Sequence, residues 1–430
     1  MYRRAARALS SVLALAVACY VAIAAPGAAQ SPRPRPPIVV WLTAGLGGAL
    51  EAMQRSFRDF NASQQTHRAE MVLLPEGTYA DAVRAAGRAG ELPCLLFIDG
   101  PLIPHFAWLG YLQPIDPFVP KALRADVLPS LIAQGSYRDR LYALGIFDSG
   151  LGIHANRRLL RAAGVRVPTV DRPWTLAEFE DALARLGTVP GVRYALDLKI
   201  NYGRGEYFTY AYSPILQSMG GDLIERRTYR RSRGVLDGPR SIAAMRRLQS
   251  WIQKGWASAA PKDDDFTSGR AALSLAGHWT YRRYAAALGA DLAVLPMPDF
   301  GRGPRTGSGS WMFAVSSTCR DPGSAATLLR FLVGRDNVLR FTAQHPGVPG
   351  RTSALLRSPL YASGGPLHVY VEQARRGWAV PRPVTPAYPT ITAAFAEAVD
   401  QIIKGGDVAE QLRRAAARID ADIEAHAGYP

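Results

Sequence analysis

The residues whose types could do chemistry are few, and their spacing excludes most of the usual chemistry. Gly45-Leu46-Gly47-Gly48-Ala49-Leu50 follows a strand-like run and precedes a helical one, where a dinucleotide fingerprint belongs. Its third glycine position is Leu50, however, so the stretch reads as a tight strand-to-helix turn with free backbone N–H groups. The chain contains no G-x-x-x-x-G-K-[ST], hence no P-loop, and Gly307-Ser308-Gly309-Ser310 has the wrong order for a nucleophile elbow. His67, His105, His154, His278, His345, His368 and His426 include no i, i+4 pair and no cysteine partner at metal spacing, so they read as surface or packed residues and no metal is expected. No pair of carboxylates stands out for glycosidase work. Cys94 and Cys319 would pair if the fold brought them close; the sequence reading favours two buried thiols. Arg226, Arg227, Arg230, Arg231 and Arg233 form the densest basic patch and read as a solvated loop, not a nucleic-acid surface.

The elements that must position any site alternate between strand and helix. Ile38-Val39-Val40-Trp41-Leu42 is a continuous apolar run that fits a buried parallel strand, and Leu50, Met53, Phe57 and Phe60 come after it at helical spacing. Met71 to Leu74 and Cys94 to Ile98 read as two further strands, with a helical segment between them. This alternation predicts a parallel α/β sheet whose ligands lie beyond the strand carboxyl ends, near Thr43-Ala44-Gly45 and Asp99-Gly100. Leu141 to Ile146 and Gly152 to His154 read as one strand interrupted at Phe147-Asp148-Ser149. Thr175 and Glu178 predict a capping box, with Trp174 stapled onto Phe179. The chain closes with helices over 391–404 and 407–425, Asp407 capping the second.

With 430 residues, 48% of them hydrophobic, the chain is globular and long enough for two or three domains. Of its 51 basic residues five are lysines, so 46 are arginines; a bias this lopsided is discounted as evidence for nucleic acid although the net charge is +16. Arg3, Arg4 and Arg7 precede an uncharged stretch whose core, Val12 to Ala25, is too short for a comfortable membrane span. Residues 1–29 therefore read as an export signal cleaved after Ala29, with a lipid on Cys19 as the weaker alternative, and 30–37 as a Pro-rich leader. The expected location is periplasmic or extracellular.

Taken in order, several stretches resemble a known family, the bacterial extracellular solute-binding proteins of family 1. This is the carbohydrate-binding group of ABC importers that includes maltose-binding and glycerol-3-phosphate-binding proteins. Ile38 to Gly45 resembles its opening strand and ligand loop, and Leu141 to Ser149 its crossover segment. His154-Ala155-Asn156-Arg157, Pro173-Trp174-Thr175 and Gly220-Gly221-Asp222-Leu223 resemble three later motifs, and Phe266 to Trp279 a fourth, with His278 where the family has proline. The resemblance covers roughly 38–425. It implies an α/β, two-lobed periplasmic-binding-protein fold (type II-like) with the ligand in a cleft between lobes. Lobe one would hold 38–147 and 312–365, and lobe two 148–311 and 366–430.

By motif position, the resemblance implies stacking by Tyr207, Trp279, Trp311 and Tyr388 on the C–H faces of a sugar. It implies polar contacts from Thr43, Asp99, Asp148, Ser310 and Arg351. The implied function is capture of a carbohydrate-like solute by a monomer that closes around it and docks on a membrane ABC permease. No catalytic residue, cofactor or nucleic-acid partner is expected. Two other classes stay open: a secreted carbohydrate-active enzyme, and a sensory binding module for a phosphorylated polyol.

Overall fold

A computed structural model describes residues 37–46 and 48–430. The expected export signal and leader, to Pro36, lie outside the described residues.

The described residues build two large sheets, each with its own core, and three two-stranded ones. The first has five strands in the spatial order Ala69–Leu74, Ile38–Thr43, Leu95–Asp99, Trp311–Val315 and Ala143–Gly145. The first three are parallel, with the helices Ala49–Ser63 and Glu76–Ala89 as crossovers. Leu95–Asp99 is buried along its whole length, which accounts for its unbroken apolar run. Trp311–Val315 returns antiparallel to both neighbours, so the sheet is mixed and not wholly parallel as the strand–helix alternation predicts. Runs this short carry no sign of their direction.

The second sheet has the order Leu292–Leu295, Leu151–Asn156, Ala271–Gly277, Tyr194–Asp197. Ala271–Gly277 is parallel to Tyr194–Asp197 and antiparallel to Leu151–Asn156. The single interrupted strand expected over 141–154 is instead several pieces. Ala143–Gly145 joins the first sheet, Phe147–Asp148 pairs with Val348–Pro349, and Leu151–Asn156 joins the second sheet. The interruption is therefore where the chain changes cores: Phe147 belongs to the first and Leu151 to the second. The chain changes core again between Phe300 and Met312, and once more between Ala354 and Ala387.

Local signals hold where they are short-range. Thr175 and Glu178 form the expected capping box, and the Trp174 and Phe179 rings lie 6.0 Å apart. Asp407 accepts from the Glu410 N–H at 2.7 Å at the start of the helix Val408–Ala425. The expectation of two separate thiols is corrected: Cys94 and Cys319 form a disulfide, with Cα atoms 4.4 Å apart. The cause is the antiparallel register Leu95↔Val315, which brings together the start of one strand and the end of the other. No helix among the described residues is long and apolar enough to cross a membrane.

Candidate functional site

Strand direction decides which side chains can meet. Thr43 and Asp99 close parallel strands, so both sit at the carboxyl end of the first sheet. Trp311 opens an antiparallel strand in register with Asp99, which brings it to the same end. In the second sheet, Tyr194–Asp197 and Ala271–Gly277 are parallel, so the chain leaves both strands at one edge. The helix Glu206–Ser218 comes after the first of these strands and Trp279 after the second. Arg382 comes directly after Ala379–Pro381, a strand paired with Thr306–Ser308.

Arg382 ties the two groups together. Its Nη1 and Nη2 donate to the two Asp99 carboxylate oxygens at 2.7 and 2.8 Å. Nη1 also donates to Glu206 at 2.6 Å, and its guanidinium carbon lies 5.1 Å from the Tyr210 ring centroid. Burial alone would lower the Arg382 pKa, but the charges of Asp99 and Glu206 outweigh it and hold the pKa well above the usual value. Glu206 is raised by burial, and Arg382 opposes that rise. The Tyr388 hydroxyl donates to Glu206, as does Thr392 at 2.7 Å. The backbone is shaped for this contact. Gly309 has φ +137°, and a Cβ there would stand 2.5 Å from Arg382 Nη2, so a side chain at 309 would displace the guanidinium.

Beside this pair is an aromatic wall. Trp279 Nε1 donates to the Tyr202 hydroxyl at 3.3 Å, and its ring lies 6.1 Å from Tyr210 and 6.4 Å from Tyr207. The Tyr207 hydroxyl donates to the Leu275 carbonyl at 2.7 Å, which fixes the ring. On the first sheet Trp311 stacks on Phe97 at 5.6 Å and meets Tyr79 edge-on at 6.0 Å.

Asp148 and Ser310 sit where the chain changes cores. Asp148 accepts from Ser130 at 2.5 Å, from the Ser149 N–H at 2.8 Å and from Gln134 at 3.4 Å. Burial raises its pKa, and those hydrogen bonds counter the rise. Gln134 also accepts from the Ser310 N–H at 3.0 Å, and the Ser310 carbonyl accepts from Gly100 at 2.8 Å. Ser149 in turn lies 3.0 Å from the Tyr210 hydroxyl. Thr43 is buried and accepts from the Gly45 N–H at 3.1 Å, shaping the turn.

Of the nine residues expected from the sequence, Asp99, Tyr207, Trp279, Ser310, Trp311 and Tyr388 lie within this connected set; Asp148 joins it through Gln134, and Thr43 shapes the neighbouring turn. Arg351 is not brought there. Its Nε donates to Asp126 at 2.7 Å and its Nη1 to the Val333 carbonyl at 3.0 Å, so the guanidinium is committed to holding that loop. Sequence reasoning missed Arg382, Glu206, Tyr202 and Tyr210. Glu206 and Tyr210 flank the Tyr207 already singled out, but Arg382 is one arginine among many. One member of the 226–233 basic patch is not merely solvated: Arg226 pairs with Asp222 and donates to the Pro381 carbonyl at 2.7 Å, anchoring the residue before Arg382. Among the described residues no group of three or more His, Cys, Asp or Glu is placed to hold a metal ion.

This is an arrangement for recognition: flat apolar faces beside a dense set of hydrogen-bonding groups, as polyhydroxylated solutes require. Residues 56–365 match the family of bacterial extracellular solute-binding proteins. The chain belongs to that family. Among curated relatives, this solute-binding protein is 24% identical over 346 residues to an uncharacterised lipoprotein of Streptomyces antibioticus, covering 77% of this chain and 72% of that one. It is 21% identical over 346 residues to the maltotriose-binding protein of Pyrococcus abyssi, covering 78% and 71%. Among solved structures, it superposes with a TM-score of 0.77 and 21% identity on an ABC-transporter solute-binding protein of Thermotoga lettingae bound with α-D-tagatose, covering 89% of this chain and 98% of that one. The fold is the two-lobed α/β fold of these binding proteins.

Proposed function

We propose that this solute-binding protein captures a carbohydrate-like solute, a sugar, oligosaccharide or polyol, in the cleft around Asp99, Arg382 and Trp279, and delivers it to an ABC permease. It does so as an exported monomer, by binding and without catalysis. The lobes are taken as 38–147 with 312–365, and 148–311 with 366–430. The observation that carries the reading is the aromatic wall of Trp279, Tyr202, Tyr207 and Tyr210 beside the Asp99–Arg382–Glu206 cluster. Sugar C–H faces stack on the rings, while hydroxyls donate to the carboxylates and accept from the guanidinium. The maltotriose-binding relative and the tagatose-bound structural neighbour support the same class.

A thermal-shift screen with maltotriose, tagatose, polyols and a glycerol phosphate tests it. A true ligand at a hundredfold excess over its Kd stabilises by about 2.7 kcal/mol. A stabilising saccharide or polyol whose effect is lost in Trp279→Ala supports the reading. No shift with any neutral saccharide or polyol refutes it, as does turnover of a glycan by the purified protein.

A further inference from the structure

Away from the Asp99–Arg382 cluster, a cavity of about 380 Å³ opens between the helix pair Glu76–Ala89 and Ile103–Trp108 on one side and the helices Tyr388–Ile403 and Val408–Ala425 on the other. None of Asp99, Trp279 or Arg382 lines it. Its size suits a small organic ligand. One wall is aromatic: Trp108 meets Tyr429 edge-on at 4.9 Å and His426 at 5.6 Å, and His426 stacks on Tyr429 at 4.7 Å.

The polar groups of that wall are already satisfied. The Tyr429 hydroxyl donates to Asp422 at 2.6 Å, the His426 ring donates to the Asp422 carbonyl at 2.8 Å, and His105 donates to the Pro386 carbonyl at 2.9 Å. Burial lowers the His105 pKa, which keeps that ring neutral. Two guanidinium groups also line the cavity. Among the described residues the Arg84 side chain pairs only with the exposed Asp81, and the Arg88 guanidinium makes no hydrogen bond or ion pair. The cavity therefore offers a flat apolar wall and a free guanidinium fork, with its one lining carboxylate engaged by Tyr429.

We propose that this cavity is a second binding site, for a small carboxylate with a planar apolar body. The ring of such a ligand packs against Trp108 and Tyr429, and its carboxylate pairs with Arg88 and Arg84. The two halves of the cavity come from opposite cores, since Val83 and Phe106 belong to one and Ile391 and Ile419 to the other.

Benzoate is the probe, titrated into the full-length exported protein by calorimetry with benzyl alcohol as its neutral counterpart. The expected result is saturable benzoate binding in about the millimolar range, with benzyl alcohol at least about tenfold weaker. Arg88→Gln, an exposed change that leaves the fold intact, should weaken benzoate about tenfold or more. Trp279→Ala in the main cleft and Arg58→Gln, at an exposed residue of the helix Ala49–Ser63 that does not line the cavity, should leave it unchanged. The proposal is overturned by any one of three results: no saturable benzoate binding, equal binding of benzyl alcohol, or losses in Trp279→Ala or Arg58→Gln that match the loss in Arg88→Gln.

Discussion

Replacing Arg382 by methionine should open the protein. Asp99 belongs to the first sheet, whereas Arg382 lies between a strand paired with Thr306–Ser308 and a helix of the second core, so their bidentate pair spans the two cores. Methionine fills similar volume but strands the Asp99 carboxylate at 9% exposure without a cation. Removing one partner of a buried ion pair costs about 3–5 kcal/mol. When the cores separate, Asp99 regains water, so the penalty falls on the closed arrangement alone and shifts the closed-to-open ratio by about 150- to 5,000-fold. Half-exposed Glu206 recovers water in either arrangement and adds little. Small-angle scattering should show a larger radius of gyration for Arg382→Met than for the parent. Asp99→Asn in the same chain should restore part of the compaction, with a coupling of at least about 2 kcal/mol in the double-mutant cycle. An unchanged radius in Arg382→Met, or strictly additive effects of the two changes, refutes the reasoning.

Truncating Trp279 or Trp311 to alanine should each weaken the solute by about 1–3 kcal/mol, or roughly 5- to 150-fold, by titration calorimetry; parental affinity in both variants would mean that the rings serve packing alone. Cys94→Ser with Cys319→Ser opens a link spanning 225 residues and should cost up to about 5 kcal/mol, read as a lower denaturant midpoint with little change in solute affinity. Burial, helped by the Lys199 charge, lowers the His154 pKa to about 3. The unfolded chain therefore binds the extra proton first, and stability should fall by several kcal/mol as pH drops from about 6.5 toward 3. His154→Leu should flatten that slope in urea titrations, and an identical slope would exclude His154 as its source.

Legibility in the sequence tracks sequence distance. The Thr175–Glu178 box and the Asp407 cap rest on contacts within a few residues, and the strand Leu95–Asp99 shows itself by an unbroken apolar run, so all three are readable from local pattern. Asp99, Tyr207 and Trp279 come together in the structure as motif order implies, because that order fixes which loops meet. Arg382 is not legible in the sequence, because its partner lies 283 residues away and nothing local marks one arginine among 46 as buried. Arg351 illustrates the converse. Its loop is implied by the family resemblance, but the side chain's direction is set by Asp126, a distant residue no pattern near 351 reveals. The Cys94–Cys319 pairing is raised by the sequence but read the wrong way there, because it depends on a strand returning antiparallel.

Charge counting at the cleft bears on the solute, and it runs against the composition. The chain carries +16 overall, which taken alone favours anionic ligands. At the site one cation, Arg382, faces two carboxylates, Asp99 and Glu206, so the cluster is negative by one charge when all three are ionised. An incoming phosphate would have to take Arg382 from Asp99 and then sit beside two like charges, Asp99 buried and Glu206 partly exposed, an arrangement that costs several kcal/mol. A neutral hydroxyl inserts between the same groups at little electrostatic cost, because it donates to one side and accepts from the other. The local balance, not the global one, therefore favours an uncharged sugar or polyol over a phosphorylated one. The surplus of arginine lies elsewhere: Arg351 is held by Asp126, Arg226 by Asp222, and Arg88 lines a separate cavity with no partner for its guanidinium among the described residues.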